Sequence, residues 1–483
     1  MHFAIISKVL GILLMLFSVT MLPPLVVSFG YEDGAHFSFI IAFVITAFTG
    51  TLAWFPVHKI QDDLRTRDGF LITSLFWIVL SLFGSLPFMI LGDQSLPIVN
   101  AVFESMSGLT TTGATVITDI ESLPKSILYY RQQLQWFGGI GIIVIAVAIL
   151  PMLGIGGMQL YRAETPGPVK DSKLTPRITG TAKALFMIYL GLTVACAVAY
   201  RLAGMEWFDA IGHSFSTVAI GGFSTYDDSI GHFSGNEAVM LVCMLFMFIS
   251  AVNFALHFVA WNSRGLKHYL QDPEFRFYAS MVFLGVMITV GYLTYSGTYG
   301  ISEAALKGSF ELISVLTTTG FGVTDFSLWP TFLPFLVFMF AFMGGCAGST
   351  GGGIKMIRVL LIAKQGAREL QRLIHPNAIL HIKVGSKIVS DRVVEAVWGF
   401  FAVYTIAFLC IWILLMATGL DFITAFSAVA ACINNLGPGL GEVSTHYGNL
   451  NALAKWVLCF AMLLGRLEVF TLLVLFTPAF WRR

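Results

Sequence analysis

The chain is 483 residues long, 57% hydrophobic and 11% charged, with 28 lysines and arginines against 27 acidic residues. An average soluble domain carries roughly 25% charged residues, so no water-soluble core absorbs this much apolar surface and lipid must solvate the outside. The net charge of +1 says nothing about partners, and nucleic acid is not an expected one.

Six cysteines, Cys196, Cys243, Cys346, Cys410, Cys432 and Cys459, lie in apolar or glycine-rich stretches without a C-x-x-C pair. Core packing is therefore expected for all six, rather than a zinc site or a disulfide framework. Near the start, the single cation Lys8 precedes an apolar run from Val9 to Phe29. The run is longer than the apolar region of a signal peptide and no small-x-small site closes it, so it reads as a retained spanning helix.

A spanning helix needs about 20 mostly apolar residues. Ten segments meet that test: 3–29, 36–57, 70–91, 127–152, 182–204, 238–261, 276–296, 331–363, 393–418 and 452–480. Four more, about 98–112, 206–221, 302–319 and 421–436, are too short or too polar to cross and suit re-entrant half-helices. The fold class expected is an all-α integral membrane protein.

Lysine and arginine orient the spans. Cations gather at 59–67, at 162–177, at Arg264, Lys267 and Arg276, at eight positions from Lys355 to Arg392, and at Arg482 and Arg483. The alternate connections hold Lys125 and Lys307 but mainly acids, among them Asp93, Asp119, Glu121, Asp227, Asp228, Asp325 and Glu442. Both termini are therefore expected in the cytoplasm, facing away from an acidic outer surface. The longest polar connector, 364–391, reads as basic and cytoplasmic, with one helical stretch and a short strand.

A repeat organises the chain. Span, short segment, glycine-containing turn and span recur four times from the third span onward. Ser107-Gly-Leu-Thr-Thr-Thr-Gly113 and Ser314-Val-Leu-Thr-Thr-Thr-Gly320 align without gaps with Ser216-Thr-Val-Ala-Ile-Gly-Gly222 and Ala431-Cys-Ile-Asn-Asn-Leu-Gly437. Glu104, His213 and Glu311 each stand nine residues before the aligned glycine, where they either brace the turn or face an outer vestibule. The expected units are two N-terminal helices over 1–68, then pore repeats over 69–177, 178–272, 273–391 and 392–483.

Irregular backbone at membrane depth is tolerated only where it is buried or lines a water-filled cavity. Four equivalent turns therefore imply a shared polar axis. Glycine takes φ > 0 and can turn successive carbonyls toward it, and rings of such oxygens can replace the hydration shell of K⁺. Each half-helix points its C-terminus, the end favouring a cation, at the centre.

The span, half-helix, T-x-G turn, span unit resembles the potassium-channel pore domain repeated four times, and the whole chain resembles the Trk/Ktr/HKT superfamily. The resemblance implies a filter of backbone oxygens at Thr111 and Thr112, Ile220 and Gly221, Thr318 and Thr319, and Asn435 and Leu436. Gly113, Gly222, Gly320 and Gly437 would close the turns. It further implies a homodimer in the bacterial inner membrane and a cytosolic, nucleotide-binding regulatory subunit of the TrkA type, docked at 364–391. The turns lack the Tyr-Gly half of T-V-G-Y-G, so modest discrimination of K⁺ over Na⁺ is expected. By the same resemblance K⁺ is the expected permeating ion, and no organic cofactor is expected.

Two features interrupt later spans. Gly344-Gly-Cys-Ala-Gly-Ser-Thr-Gly-Gly-Gly353 breaks the eighth, since each interior glycine costs about 1 kcal/mol relative to alanine in a helix. It is no phosphate loop, because Lys355 comes one residue late and no Ser or Thr follows it. A close-packed helix crossing is one reading of the stretch. By the resemblance, Gly345, Gly348, Gly351, Gly352 and Gly353 belong instead to an intramembrane gate. Arg466 lies in the last span, where an unpaired cation is costly. It either pairs with a carboxylate of another repeat or acts as an electrostatic barrier in the path, and Glu468, two residues on, is a poor partner. Arg131, Asn253 and His257 read as satisfied packing contacts. A symporter coupling K⁺ to H⁺ or Na⁺ is the alternative, but alternating access commonly leaves inverted repeats and these repeats are parallel. A membrane enzyme is not expected.

Overall fold

Two glycines let the N-terminal helices meet backbone to backbone. Helix α1 (Phe3–Val19) crosses α3 (His36–Trp54) where Gly11 faces Gly50. A Cβ on Gly11 would stand 2.7 Å from the Gly50 carbonyl oxygen, and one on Gly50 would stand 2.8 Å from the Gly11 oxygen. Small residues of this kind bring helices together in lipid, where packing replaces the hydrophobic drive. Between them α2 (Leu22–Tyr31) starts on two prolines in its first turn. On the other side of α3, Phe37, Val44, Phe48 and Leu52 are more than half exposed, as a lipid-facing surface requires.

The computed structural model describes residues 2–60, 65–139, 141 and 178–482. The expected cations at 162–177 and the end of the 127–152 segment lie outside them. Six helices among the described residues are long and apolar enough to cross a membrane, or eight if two sharply bent pairs each count as one span. The protein is a multi-pass membrane protein.

After α4 (Thr66–Gly84), the helices run α5 (Ile98–Leu109), α6 (Lys125–Gly139), α7 (Ile178–Leu202), α8 (Trp207–Val218), α9 (Glu237–Ser250) and α10 (Phe254–Ser263). They continue with α11 (Pro273–Tyr295), α12 (Ser309–Thr317), α13 (Leu333–Met339), α14 (Met356–Ile374), α15 (Asp391–Ala417), α16 (Phe422–Ile433), α17 (Ala452–Arg466) and α18 (Phe470–Leu473). The four short helices α5, α8, α12 and α16 occupy the segments expected to be too short to cross.

Three of the expected spans are not straight. The chain bends by 96° between α9 and α10. In an unbroken helix Ala255 N–H would donate to Ala251, but here it donates to Asn253 Oδ1 (2.8 Å), and the Ala251 carbonyl accepts from Cys346 N–H (2.8 Å). The last span bends by 110° after Arg466, with Glu468 and Val469 in the left-handed region at φ 53° and 57°. The eighth leaves helix after Phe342 and re-enters it only at Met356. Helix α14 then continues through the first part of the polar connector. A two-residue antiparallel hairpin, Lys383–Val384 with Lys387–Ile388, follows, and Arg368 pairs with Asp391 (2.8 Å) to tie α14 to α15.

All six cysteines are free, and five are buried as expected. Cys410 is exposed on α15, so packing does not account for it. Replacing Gly11 or Gly50 by valine is expected to destabilise the fold by about 1–3 kcal/mol, read as a lower unfolding midpoint of the purified protein in detergent.

Candidate functional site

Each short helix ends in the same hydrogen-bonded cap. The N–H groups of Thr112, Gly221, Thr319 and Leu436 donate to the carbonyls of Ser107, Ser216, Ser314 and Ala431, each at 2.8 Å. One residue earlier, Thr111, Ile220, Thr318 and Asn435 donate to Gly108, Thr217, Val315 and Cys432 at 3.0–3.2 Å. This paired bonding is a Schellman motif, whose left-handed position is usually filled by glycine. Here that position holds Thr111 (φ 55°), Ile220 (56°), Thr318 (66°) and Asn435 (54°). Three of the four are β-branched, for which φ > 0 is a genuine outlier. Two residues on, Gly113, Gly222, Gly320 and Gly437 are left-handed again, at φ 79–97°.

The four turns touch one another in order. A Cβ on Gly113 would collide with the Gly221 carbonyl oxygen, one on Gly222 with that of Thr319, and one on Gly320 with that of Leu436. On Gly437 it would stand 2.7 Å from the Thr112 oxygen. Each glycine thus abuts the carbonyl just before the next repeat's glycine, and the fourth returns to the first. The contacts close a ring.

The glycine-rich stretch lies against the helix-end side of this ring. Thr350 Oγ1 donates to the Val218 carbonyl (2.9 Å) at the end of α8, and Gly352 N–H to Thr318 Oγ1 (2.7 Å) after α12. Gly353 N–H donates to the Asn434 carbonyl (3.1 Å) after α16. A side chain at Gly351 would press on the Thr317 oxygen, at 3.0 Å. Gly345 and Gly348 pack instead against Ala251 and Asn253 at the α9–α10 bend. One segment therefore reaches three turns. Arg466, the last residue of α17, meets the fourth: its guanidinium donates to Thr111 Oγ1 (3.3 Å), Gly139 O (3.1 Å) and Gly138 O, with Trp77 stacked at 5.3 Å.

Comparison with known proteins fixes the relationship. Residues 35–483 match the family model TrkH, described as "Cation transport protein". The chain belongs to the TrkH family. Over the full length of both chains it is 59% identical to the Trk system potassium uptake protein TrkH of Halomonas elongata and 52% to that of Escherichia coli. It resembles the crystal structure of the potassium transporter TrkH from Vibrio parahaemolyticus with a TM-score of 0.91 at 53% identity, covering 100% of each chain. These relatives are transport proteins, not enzymes.

In this TrkH-family chain, buried polar side chains hold each turn from behind. The Glu104 carboxylate accepts from Val116 N–H and Thr115 Oγ1 (both 3.0 Å) and pairs with Arg131 Nε (2.8 Å). His213 Nε2 bonds Ser224 Oγ (2.9 Å), and Glu311 accepts from the N–H groups of Val323 (2.7 Å) and Thr324 (3.0 Å). Of the two readings open for these residues, bracing is what the geometry gives. The fourth repeat has Ala428 at that register, and Ser427 substitutes by accepting Leu440 N–H (2.8 Å).

Sequence reasoning missed the part played by α6. Arg131, Gln132 and Gln135 donate to the carbonyls of Ser224 (3.0 Å), Phe223 (3.1 Å) and Gly221 (2.5 Å), and Gln135 Oε1 accepts Phe223 N–H (3.0 Å). One helix of the first repeat thus clamps the second repeat's turn. The available signal was the run Arg131-Gln-Gln-Leu-Gln135, four polar residues in five positions of a segment expected to span.

Removing one partner of a buried ion pair costs about 3–5 kcal/mol, while an exposed pair is worth about 0–1. Glu104→Gln is accordingly expected to lower the unfolding midpoint far more than Glu303→Gln, which breaks the exposed pair with Lys307.

Proposed function

We propose that this chain is the membrane subunit of a Trk-type potassium uptake system, passing K⁺ along the axis of the four-turn ring. The observation that carries the reading is the closed contact of each turn's glycine with its neighbour's carbonyl. Left-handed residues alternate along each turn, an arrangement that would set successive peptide carbonyls on one side. Oxygens of Thr111, Thr112, Ile220, Gly221, Thr318, Thr319, Asn435 and Leu436 would then replace water around the ion. The helix C-termini ending on the ring add a field favourable to a cation. The names of the full-length relatives, potassium uptake proteins, agree with that chemistry.

The glycine-rich segment and Arg466 are the proposed barrier. Between them they contact all four turns on one side of the ring. A guanidinium beside the path repels a dehydrated cation, and a segment of small residues can swing clear without dragging bulky side chains. Helix α14 leads directly from this segment to the connector at 364–391, where a cytosolic nucleotide-binding subunit of the TrkA type would act. The proposal places a homodimer in the bacterial inner membrane with both termini in the cytoplasm. A carrier coupling K⁺ to another ion is not favoured, because the ring joins parallel repeats about one centre.

Reconstitution into planar bilayers tests the mechanism. Unitary K⁺ currents are expected, and their absence alongside saturable, ion-coupled uptake would point to a carrier. Arg466→Ala is expected to raise K⁺ flux, and unchanged or lower flux in folded protein would count against a barrier. Gly320→Ala places a side chain against the Leu436 carbonyl at a left-handed position, and K⁺ uptake is expected to fall by about tenfold or more. Paired measurements with Na⁺ are expected to show K⁺ preferred only modestly.

A further inference from the structure

The segment from Met343 to Lys355 is fastened by neutral bonds at most of its contacts. Cys346 N–H donates to Ala251 O (2.8 Å), Gly348 O accepts Phe254 N–H (3.0 Å), and Met356 N–H returns to Gly345 O (3.1 Å). One fastening is different. Glu274 lies in the first turn of α11, in no position that the repeat pattern marks, and it is buried. A single carboxylate oxygen, Oε1, accepts both Ala347 N–H (2.7 Å) and Ile357 N–H (3.1 Å). These two donors stand ten residues apart, one inside the glycine-rich stretch and one just beyond it in α14.

The two bonds depend on the shape of the segment. Ile357 N–H belongs to the first turn of α14, where the leading N–H groups have no partner within the helix. Ala347 N–H belongs to the irregular stretch. Both reach one oxygen only while the irregular stretch and the start of α14 stay together, so displacing the segment or withdrawing α14 must break at least one of them. We infer that Glu274 is a positioning residue that staples the segment in its present, obstructing conformation through Ala347 and Ile357. The inference rests on the proposal that this segment is the gate.

Cys346, adjacent to Ala347 and fully buried, reports the staple independently of transport. In full-length protein keeping Cys346 and with the other five cysteines changed to alanine, maleimide labelling follows local opening. Glu274→Ala is expected to label at least about tenfold faster than its parent and to conduct K⁺ faster. Glu274→Gln keeps an amide oxygen able to accept both bonds, and should stay within about threefold of the parent. Glu274→Asp, one methylene too short, should behave like the alanine variant and serves if that variant does not fold. Unchanged Cys346 labelling in a folded alanine or aspartate variant would overturn the inference. Faster labelling with unchanged flux would leave the staple standing and sink the reading of the segment as the gate.

Discussion

Everything distinctive about this molecule follows from four backbone turns packed so closely that no side chain fits between them. Each turn leans its glycine on the carbonyl of the next, so none keeps its shape alone. Close approach of this kind needs residues without a Cβ, and it needs the turns at one level around one centre. Parallel repeats supply the second condition. The short helices then deliver the chain to the ring from outside, and their caps hand it over in a left-handed conformation.

That conformation is costly where the residue is threonine or isoleucine, about 1–3 kcal/mol for each strained position, and it persists only where the surroundings over-determine it. The structure shows how it is over-determined. Glu104, His213, Glu311 and Ser427 hold the segments that leave the turns, and Arg131, Gln132 and Gln135 clamp the second turn. Side chains also tie repeats together: Asn435 Nδ2 donates to Thr112 Oγ1 (3.0 Å), across the junction where the ring closes. Rigid support of this sort suits a site that must replace an ion's water with fixed oxygens.

The parts legible in the sequence were those encoded by local pattern. Hydropathy marked the long helices, and the aligned Gly113, Gly222, Gly320 and Gly437 marked the turns. What escaped was decided by contacts between distant residues. Near Ala251 the one local hint of a 96° bend is Asn253, which caps α10; the Cys346 N–H that takes up the Ala251 carbonyl lies far along the chain. The bend after Arg466 places left-handed backbone on Glu468 and Val469, neither of which is a turn residue by composition. Glu468 pairs with Arg358 (2.5 Å), a partner that spacing on a single helix cannot reveal. Glu274 is the clearest case, since an acid near the start of an ordinary span carries no mark of what it holds.

The central claim is that the ring dehydrates one monovalent cation, and heavy-ion crystallography tests it most directly. Crystals grown with Rb⁺ in place of K⁺ are predicted to show anomalous density on the axis between the carbonyls of Thr112, Gly221, Thr319 and Leu436. An empty axis at saturating Rb⁺, with the ion bound elsewhere, would contradict the account.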